Sequence, residues 1–315
     1  FSYNDVSAID KVLLDRIHRI KFDCLTVKEK IEITKKYLLP EVYKNMGLED
    51  TLSLSDEVIC YIIERYTNEA GVRKLKEILF EIISEVNLEL LEDKVEITLP
   101  LVINIEDIKL KYLKERHEVN YIKIANKNAI GIINGLWANA VGMGGIIQIE
   151  CKYFPTKTPL ELKLTGMQGD VMKESMNVAK TLAWNLCTNK MKKTILEGNL
   201  GGIHIHCPEG SVPKDGPSAG TAITVAIYSL FMKKEIPNHV GITGEINLSG
   251  MVTQIGGLEL KILGGIRGGI TKFIFPLQNK KDFDKIKEKY EDTDKLKNIT
   301  FKMVENINDV VKEIF

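Results

Sequence analysis

No stretch of this 315-residue chain approaches 18 consecutive apolar residues, which excludes a helix that crosses a membrane. Charge of one sign is missing as well: 43 Lys and Arg stand against 43 Asp and Glu. With no basic excess, nothing draws the whole chain onto nucleic acid, and phosphate binding is not read as its main work. Cysteine is sparse. Cys24, Cys60, Cys151, Cys187 and Cys207 are odd in number and form no Cys-x-x-Cys pair. That excludes a disulfide framework and a zinc ribbon, calls for no metal, and reads as reduced thiols in a non-secretory compartment. Internal repeats and low-complexity tracts are lacking. At 44% apolar and 27% charged, the composition is that of a globular protein, not a disordered, collagenous or coiled-coil one. Neither a Met nor a leader precedes Phe1, so the sequence reads as a piece of a longer protein. Its length suits two domains or three small ones.

What is present falls into two grammars. Residues 17–116 read as a helical unit. Thr26 and Glu29 form a capping-box pair ahead of Ile31, Thr34 and Leu38, Pro40 is expected to break that helix, and Gly47 to close the next. Ser55-Asp56-Glu57 opens a helix with Val58, Ile59, Ile62, Ile63 and Tyr66 on one face. Another runs from Val72 through Leu75, Leu79, Ile82 and Val86, with Val102, Ile105 and Ile108 near the end of the bundle. Between Lys114 and Asn128 the chain turns polar and loses periodicity, as a linker would. Beyond it, Ile146–Ile149, Ile203–His206 and Ile270–Phe275 read as strands. Gly169-Asp170, Ala219–Met232 and Ile307–Phe315 read as helices or their starts. Lys285–Asn298 reads as a solvated charged stretch. The expected fold class is α/β (α+β), an all-helical domain followed by an α/β domain.

Chemistry is densest at Pro213-Lys214-Asp215-Gly216-Pro217-Ser218-Ala219-Gly220. Gly216–Gly220 fits the Gly-x-Ser-x-Gly elbow, which would put Ser218 at a helix N-terminus, where free N–H groups can hold an oxyanion. Taken alone, the same residues fit a glycine-rich turn whose serine caps a helix. A histidine base fits poorly: the only His after Ser218 is His239, 21 residues on, while His204 and His206 precede it on a strand leading into the loop. Lysine can serve instead if burial leaves its amine neutral. Lys261 would share a helix face with Gly264, Gly265 and Gly268, a bare side that lets another backbone approach and excludes water. Without that partner it is a lysine extending from a buried helix.

PKDGPSAG followed by a lysine 43 residues after its serine resembles the ATP-dependent Lon proteases, which use a Ser–Lys dyad. IHIHCPEG (203–210), ITGEINLSG (242–250), IGGLELKILGGIRGGI (255–270) and NGLWANAVGMGG (134–145) resemble further segments of that protease domain. LLDR (13–16) and NEAGVRKL (68–75) resemble parts of its ATPase module. The resemblance implies residues 1–16 as the end of the large AAA+ subdomain, 17–116 as the helical AAA+ lid, 117–130 as a linker and 131–315 as a Ser–Lys protease domain. It implies Ser218 as nucleophile, Lys261 as general base, Thr243 as the hydroxyl that orients the amine, and Asp215 as a loop acid able to pair with the lysine in inactive conformers. His204 and His206 take structural positions near the site. Arg16 would be the arginine finger, Arg73 the sensor-2 arginine and Asn4 the sensor-1 residue.

The same resemblance implies an ATP-dependent serine endopeptidase of protein quality control, a homo-hexamer that threads unfolded polypeptides into a closed chamber. It would use ATP with Mg in the longer protein and no cofactor for the peptide chemistry. No Gly-x-x-x-x-Gly-Lys-Ser/Thr loop is present, so this chain alone is not expected to hydrolyse ATP. Leu136-Trp137-Ala138 has the last two residues of the family's order transposed, which bears on the peptide groove. A catalytically weak AAA+ chaperone or partner, and an esterase-like serine hydrolase built on the elbow, are the competing functions. The Ile-, Lys- and Asn-heavy vocabulary suggests an AT-rich genome, and the resemblance then implies the mitochondrial matrix, with bacterial cytoplasm as the alternative.

Overall fold

The computed structural model describes residues 9–20, 24–49, 51–67, 69–92, 100–139, 142–197, 201–208, 216–291 and 294–315. The chain divides into two compact units, Phe1–Glu64 with Ala70–Lys114, and Arg65–Glu69 with Glu115–Phe315.

In the first unit α1 (Lys11–Leu14) is capped by Asp10, and α2 (Val27–Ile33) by the reciprocal Thr26–Glu29 box. Pro40 does not end the helical path. The chain passes through a π turn at Thr34–Leu38, where the N–H of Leu39 reaches back to the carbonyl of Thr34, and continues as α3 (Leu39–Met46). A proline has no N–H to give and crowds the carbonyl four residues back. The wider turn absorbs both defects, so the helix is remodelled instead of broken. Gly47, at φ 67°, closes it. Next in order are β1 (Leu52–Leu54), α4 (Asp56–Tyr66), α5 (Arg73–Leu91), β2 (Leu101–Ile103) and α6 (Ile105–Asp107). Ile59 and Ile62 on α4 and Leu75, Ile78, Leu79 and Ile82 on α5 are fully buried, as their helical spacing requires. The helices are joined by a parallel β1–β2 pair. Its alternation turns Ile103 inward and leaves Val102 exposed, so Val102 is not part of the core.

The second unit is a seven-stranded mixed sheet between two helical layers. In chain order it runs β3 (Ile132–Ala138), β4 (Gly144–Phe154), β5 (Leu162–Thr165), α7 (Asp170–Leu186), α8 (Asn189–Glu197), β6 (Gly202–His206), α9 (Gly220–Met232), β7 (Val240–Ile242), a β8 (Glu245–Ile246) and β9 (Val252–Thr253) hairpin, α10 (Leu258–Gly268), β10 (Lys272–Pro276), α11 (Lys280–Tyr290), β11 (Thr300–Val304) and α12 (Ile307–Ile314). The sheet order is β11-β10-β7-β3-β4-β6-β5, antiparallel at β3–β4 and β4–β6 and parallel elsewhere. Alternation along the strands feeds two cores. Ile133, Ile149 and Ile205 meet α7, α9 and α12, while Leu136, Ile146, Phe273 and Phe275 meet α10 and α11.

Helix α9 lies between the sheet and other helices, which is why it is apolar on every side and almost wholly buried. The charged run 285–298 is solvated on one side only: its first part is α11, whose Phe283, Ile286 and Tyr290 form a buried face. Among the described residues no helix is long and apolar enough to cross a membrane.

Candidate active site

Three segments remote in sequence meet past the carboxyl end of β7. The first is the turn at Ser218. Gly216 has φ 135°, a conformation closed to side chains, and Pro217 then fixes the start of a 3-10 turn over Pro217–Ala219 that runs into α9. Ser218 is therefore held at a helix head, where the first N–H groups have no carbonyl behind them within the helix.

The second segment, Thr243-Gly244, stitches that turn in place. The N–H of Gly244 donates to the carbonyl of Ser218 at 2.8 Å, and the carbonyl of Gly244 accepts from the N–H and hydroxyl of Thr221 at 3.1 and 2.9 Å. Only glycine fits, since a Cβ at Gly244 would lie 2.6 Å from the Val252 side chain and 2.7 Å from the Thr221 hydroxyl. Thr243 is fully buried, with its N–H on the carbonyl of Ile274. Thr221 and Gly244 are parts of the site that sequence patterns did not single out, although the ITGEINLSG phrase contains Gly244.

The third is α10, which approaches from the opposite layer and brings Lys261. Its Nζ lies 3.0 Å from Ser218 Oγ and 3.1 Å from Thr243 Oγ1. The Thr243 hydroxyl donates to the Ser218 carbonyl at 3.4 Å, so it accepts from the lysine. In the neutral amine, the remaining lone pair is then free for the Ser218 hydroxyl proton. Lys261 is 4% exposed, and burial lowers its pKa from 10.5 to about 8. Burial is deep because the glycine face of α10 admits backbone: a Cβ at Gly264 would sit 2.1 Å from the carbonyl carbon of Gly144, and one at Gly268 would touch Ile146. Gly264→Ala should therefore push β4 off α10, lowering stability by roughly 1–3 kcal/mol and peptide cleavage with it. Urea melts and fluorogenic-peptide turnover check this; a variant matching the parent in both would show the approach to be slack.

His204 and His206 do not contact Lys261 or Ser218 in this arrangement. Both ring systems hydrogen-bond one hydroxyl, Thr165 Oγ1, at 2.9 and 2.8 Å on the half-exposed side of β6. Burial and neighbouring Lys163 hold the pKa of His204 below its ordinary value. Arg73 opens α5 in the first unit, exposed and 3.7 Å from Glu77, and Arg16 is exposed just after α1. Both belong to the first unit. Asn4 and Asp215 lie outside the described residues. Alternation on β3 sets Trp137 over Gly145, its indole N–H on the carbonyl of Ile146 at 3.1 Å, and Ala138 against Gly257. Among the described residues no group of three or more His, Cys, Asp or Glu could hold a metal.

Residues 104–315 match the family described as the Lon protease (S16) C-terminal proteolytic domain. The chain belongs to the Lon protease family. Residues 44–98 match the Lon protease AAA+ ATPase lid domain, which places α4 and α5 in a Lon lid. Curated relatives include the Lon protease homolog of Acanthamoeba polyphaga mimivirus, 36% identical over 92% of this chain and 34% of that protein. The Lon protease of Methanosarcina barkeri is 35% identical, over 98% of this chain and 37% of its own length. That of Dictyoglomus thermophilum is 37% identical over the same shares. The chain thus spans little more than a third of the length of these Lon proteases.

Proposed function

We propose that the second unit is a serine endopeptidase that works through Ser218 and Lys261, within a longer Lon-type protein that degrades unfolded or damaged polypeptides. The observation that carries this reading is the buried amine at 3.0 Å from the serine hydroxyl, with a threonine hydroxyl fixing its direction. In the proposed reaction neutral Lys261 takes the Ser218 proton as Oγ attacks the scissile carbonyl carbon. Backbone N–H groups of the turn that carries Ser218, ahead of α9, would hold the oxyanion. The ammonium returns its proton to the leaving amine as the C–N bond breaks, leaving an ester on Ser218. Water then attacks that ester with Lys261 again as base, releasing the new carboxylate and restoring the serine.

ATP dependence with Mg, assembly as a homo-hexamer and threading of unfolded chains are proposals for the longer protein. Arg16 and Arg73 are exposed charges able to meet phosphates, but the sequence holds no phosphate-cradling loop, and no hydrolysis of ATP is assigned to this chain.

A fluorophosphonate, which reacts only with an activated serine, tests the reading. We expect labelling on the Ser218 peptide by mass spectrometry, rising with pH towards about 8 and lost in Lys261→Met. A chain that stays unlabelled at pH 9 while folded would favour a non-catalytic AAA+ partner, and labelling undiminished in Lys261→Met would favour an esterase-like hydrolase.

A further inference from the structure

Arg267 has no part in the chemistry above, yet it occupies a costly place. It stands six residues after Lys261 on α10, half-buried. One terminal nitrogen donates to the carbonyl of Gly144 at 2.9 Å, and the guanidinium lies over the ring of Tyr121, 4.1 Å from its centroid. Its Nε is buried with no hydrogen-bond partner among the described residues. A buried donor without an acceptor is unfavourable. The head group is therefore held by the stack and the carbonyl, against its own best solvation.

That carbonyl belongs to the residue that presses on the lysine. A Cβ at Gly144 would lie 2.0 Å from the carbonyl oxygen of Leu260 and 3.1 Å from the backbone nitrogen of Lys261. How closely the start of β4 sits on this peptide decides how much water reaches the Lys261 turn. Gly144 is also the last paired residue of the β3–β4 ladder, opposite Ala138, and just beyond it the Asn139 N–H donates to the carbonyl of Met143 at 2.9 Å. Tyr121 in turn is seated by its own segment: the N–H of Ile124 donates to the carbonyl of Gly268 at 2.9 Å, and Ile122 and Ile124 pack into the core under α10.

We propose that Arg267 is a positioning residue for Lys261: braced on Tyr121, it clamps Gly144 onto the Leu260–Lys261 peptide and so keeps the amine dry and directed at Ser218. The inference rests on the Ser–Lys reading. Among the described residues, which do not include Asp215, charged groups on the elements packed around Lys261 are otherwise engaged or distant. Glu259 is bound by Lys289 and by the Tyr290 hydroxyl at 2.8 Å each, Glu150 and Lys152 stand at the far end of β4 from Gly144, Glu245 is exposed on β8, and β3 and β7 carry no charge. Among these groups, access of water, more than any partner charge, then sets the state of the amine.

The test compares Arg267→Met and Arg267→Lys with the parent chain by two readouts. One is the pH dependence of peptide turnover. The other is titration of Lys261 by 13C NMR in the Ser218→Ala background, with Lys261→Met identifying its signal. Arg267→Met should move both midpoints up by about one pH unit, an approximately tenfold loss of kcat at neutral pH with KM within about twofold. The shift should persist in molar salt, because it stems from a contact and not from a screened charge. Arg267→Lys, which still reaches a carbonyl, should recover more than half of it. Unmoved midpoints in Arg267→Met, a fall in kcat without a shift, or a shift that salt abolishes would each overturn the proposal. If Arg267→Met does not fold, Arg267→Lys decides alone, by a smaller upward shift or by none. A parent Lys261 that titrates at its ordinary value defeats the Ser–Lys reading itself; a low parent value shared by the variants defeats only the role of Arg267.

Discussion

Ser218→Ala and Lys261→Arg should each lower peptide turnover by at least about a thousandfold while leaving the fold intact. The serine hydroxyl sits half-buried in a surface turn, so its removal opens no core cavity. The lysine result is the more telling. Arginine keeps the positive charge, but its guanidinium stays protonated throughout the working range and cannot accept the Ser218 proton there. It also cannot place a single nitrogen between two hydroxyls at 3.0 and 3.1 Å. In the parent, turnover should rise with pH through about 8, the value to which burial lowers the Lys261 pKa, because only the deprotonated amine is a base. Steady-state cleavage of a fluorogenic peptide from pH 6 to 10 checks both statements. Appreciable turnover by Lys261→Arg, or a profile flat across pH 8, would rule the dyad out.

Lys261→Met should stabilise the chain at neutral pH even as it abolishes cleavage. In the unfolded chain the lysine titrates near 10.5 and in the folded chain near 8. Below the lower value both states hold the proton, and the folded state carries the full cost of a buried ammonium. Between the two values the folded chain has released a proton that the unfolded chain keeps, so stability rises with pH across that window. The whole difference amounts to about 3 kcal/mol. Methionine fills the same volume without the charge and forgoes two hydrogen bonds, so a net gain of about 2 kcal/mol is expected at pH 7. The gain should fade as pH climbs from 8 towards 10.5. Urea melts of both chains over this range measure it. A methionine variant less stable than the parent at pH 7 would mean that the hydroxyl contacts outweigh the burial of charge.

Periodicity and turn chemistry were enough to place most helices and the strands whose side chains alternate. The capping box at Thr26 and Glu29, the stop at Gly47 and the wholly apolar α9 are local patterns that tertiary contacts left unaltered. Pro40 was less legible, because whether a proline breaks a helix or is taken up by a π turn depends on what packs against it. The β1–β2 pair and the hairpin of β8 and β9 are too short for a pattern to register. The buried face of α11 was hidden because three apolar residues stood among many charges.

At the site, the phrase around Ser218 and the lone lysine on a glycine-faced helix pointed from sequence to these two residues, and the segment containing Thr243 was legible through its resemblance. Their meeting was decided only in three dimensions. Ser218 stands in the turn that leads into α9 in one helical layer and Lys261 on α10 in the other, and they join because β7 ends between them at Thr243. The lowered pKa, the grip of Gly244 on the Ser218 carbonyl and the pressure of Gly144 on the lysine turn have no local signature. Each arises where backbone from one part of the chain excludes water from another. Residue types and spacings record only what a segment demands of its own neighbours, and desolvation is set by segments that are distant in the chain.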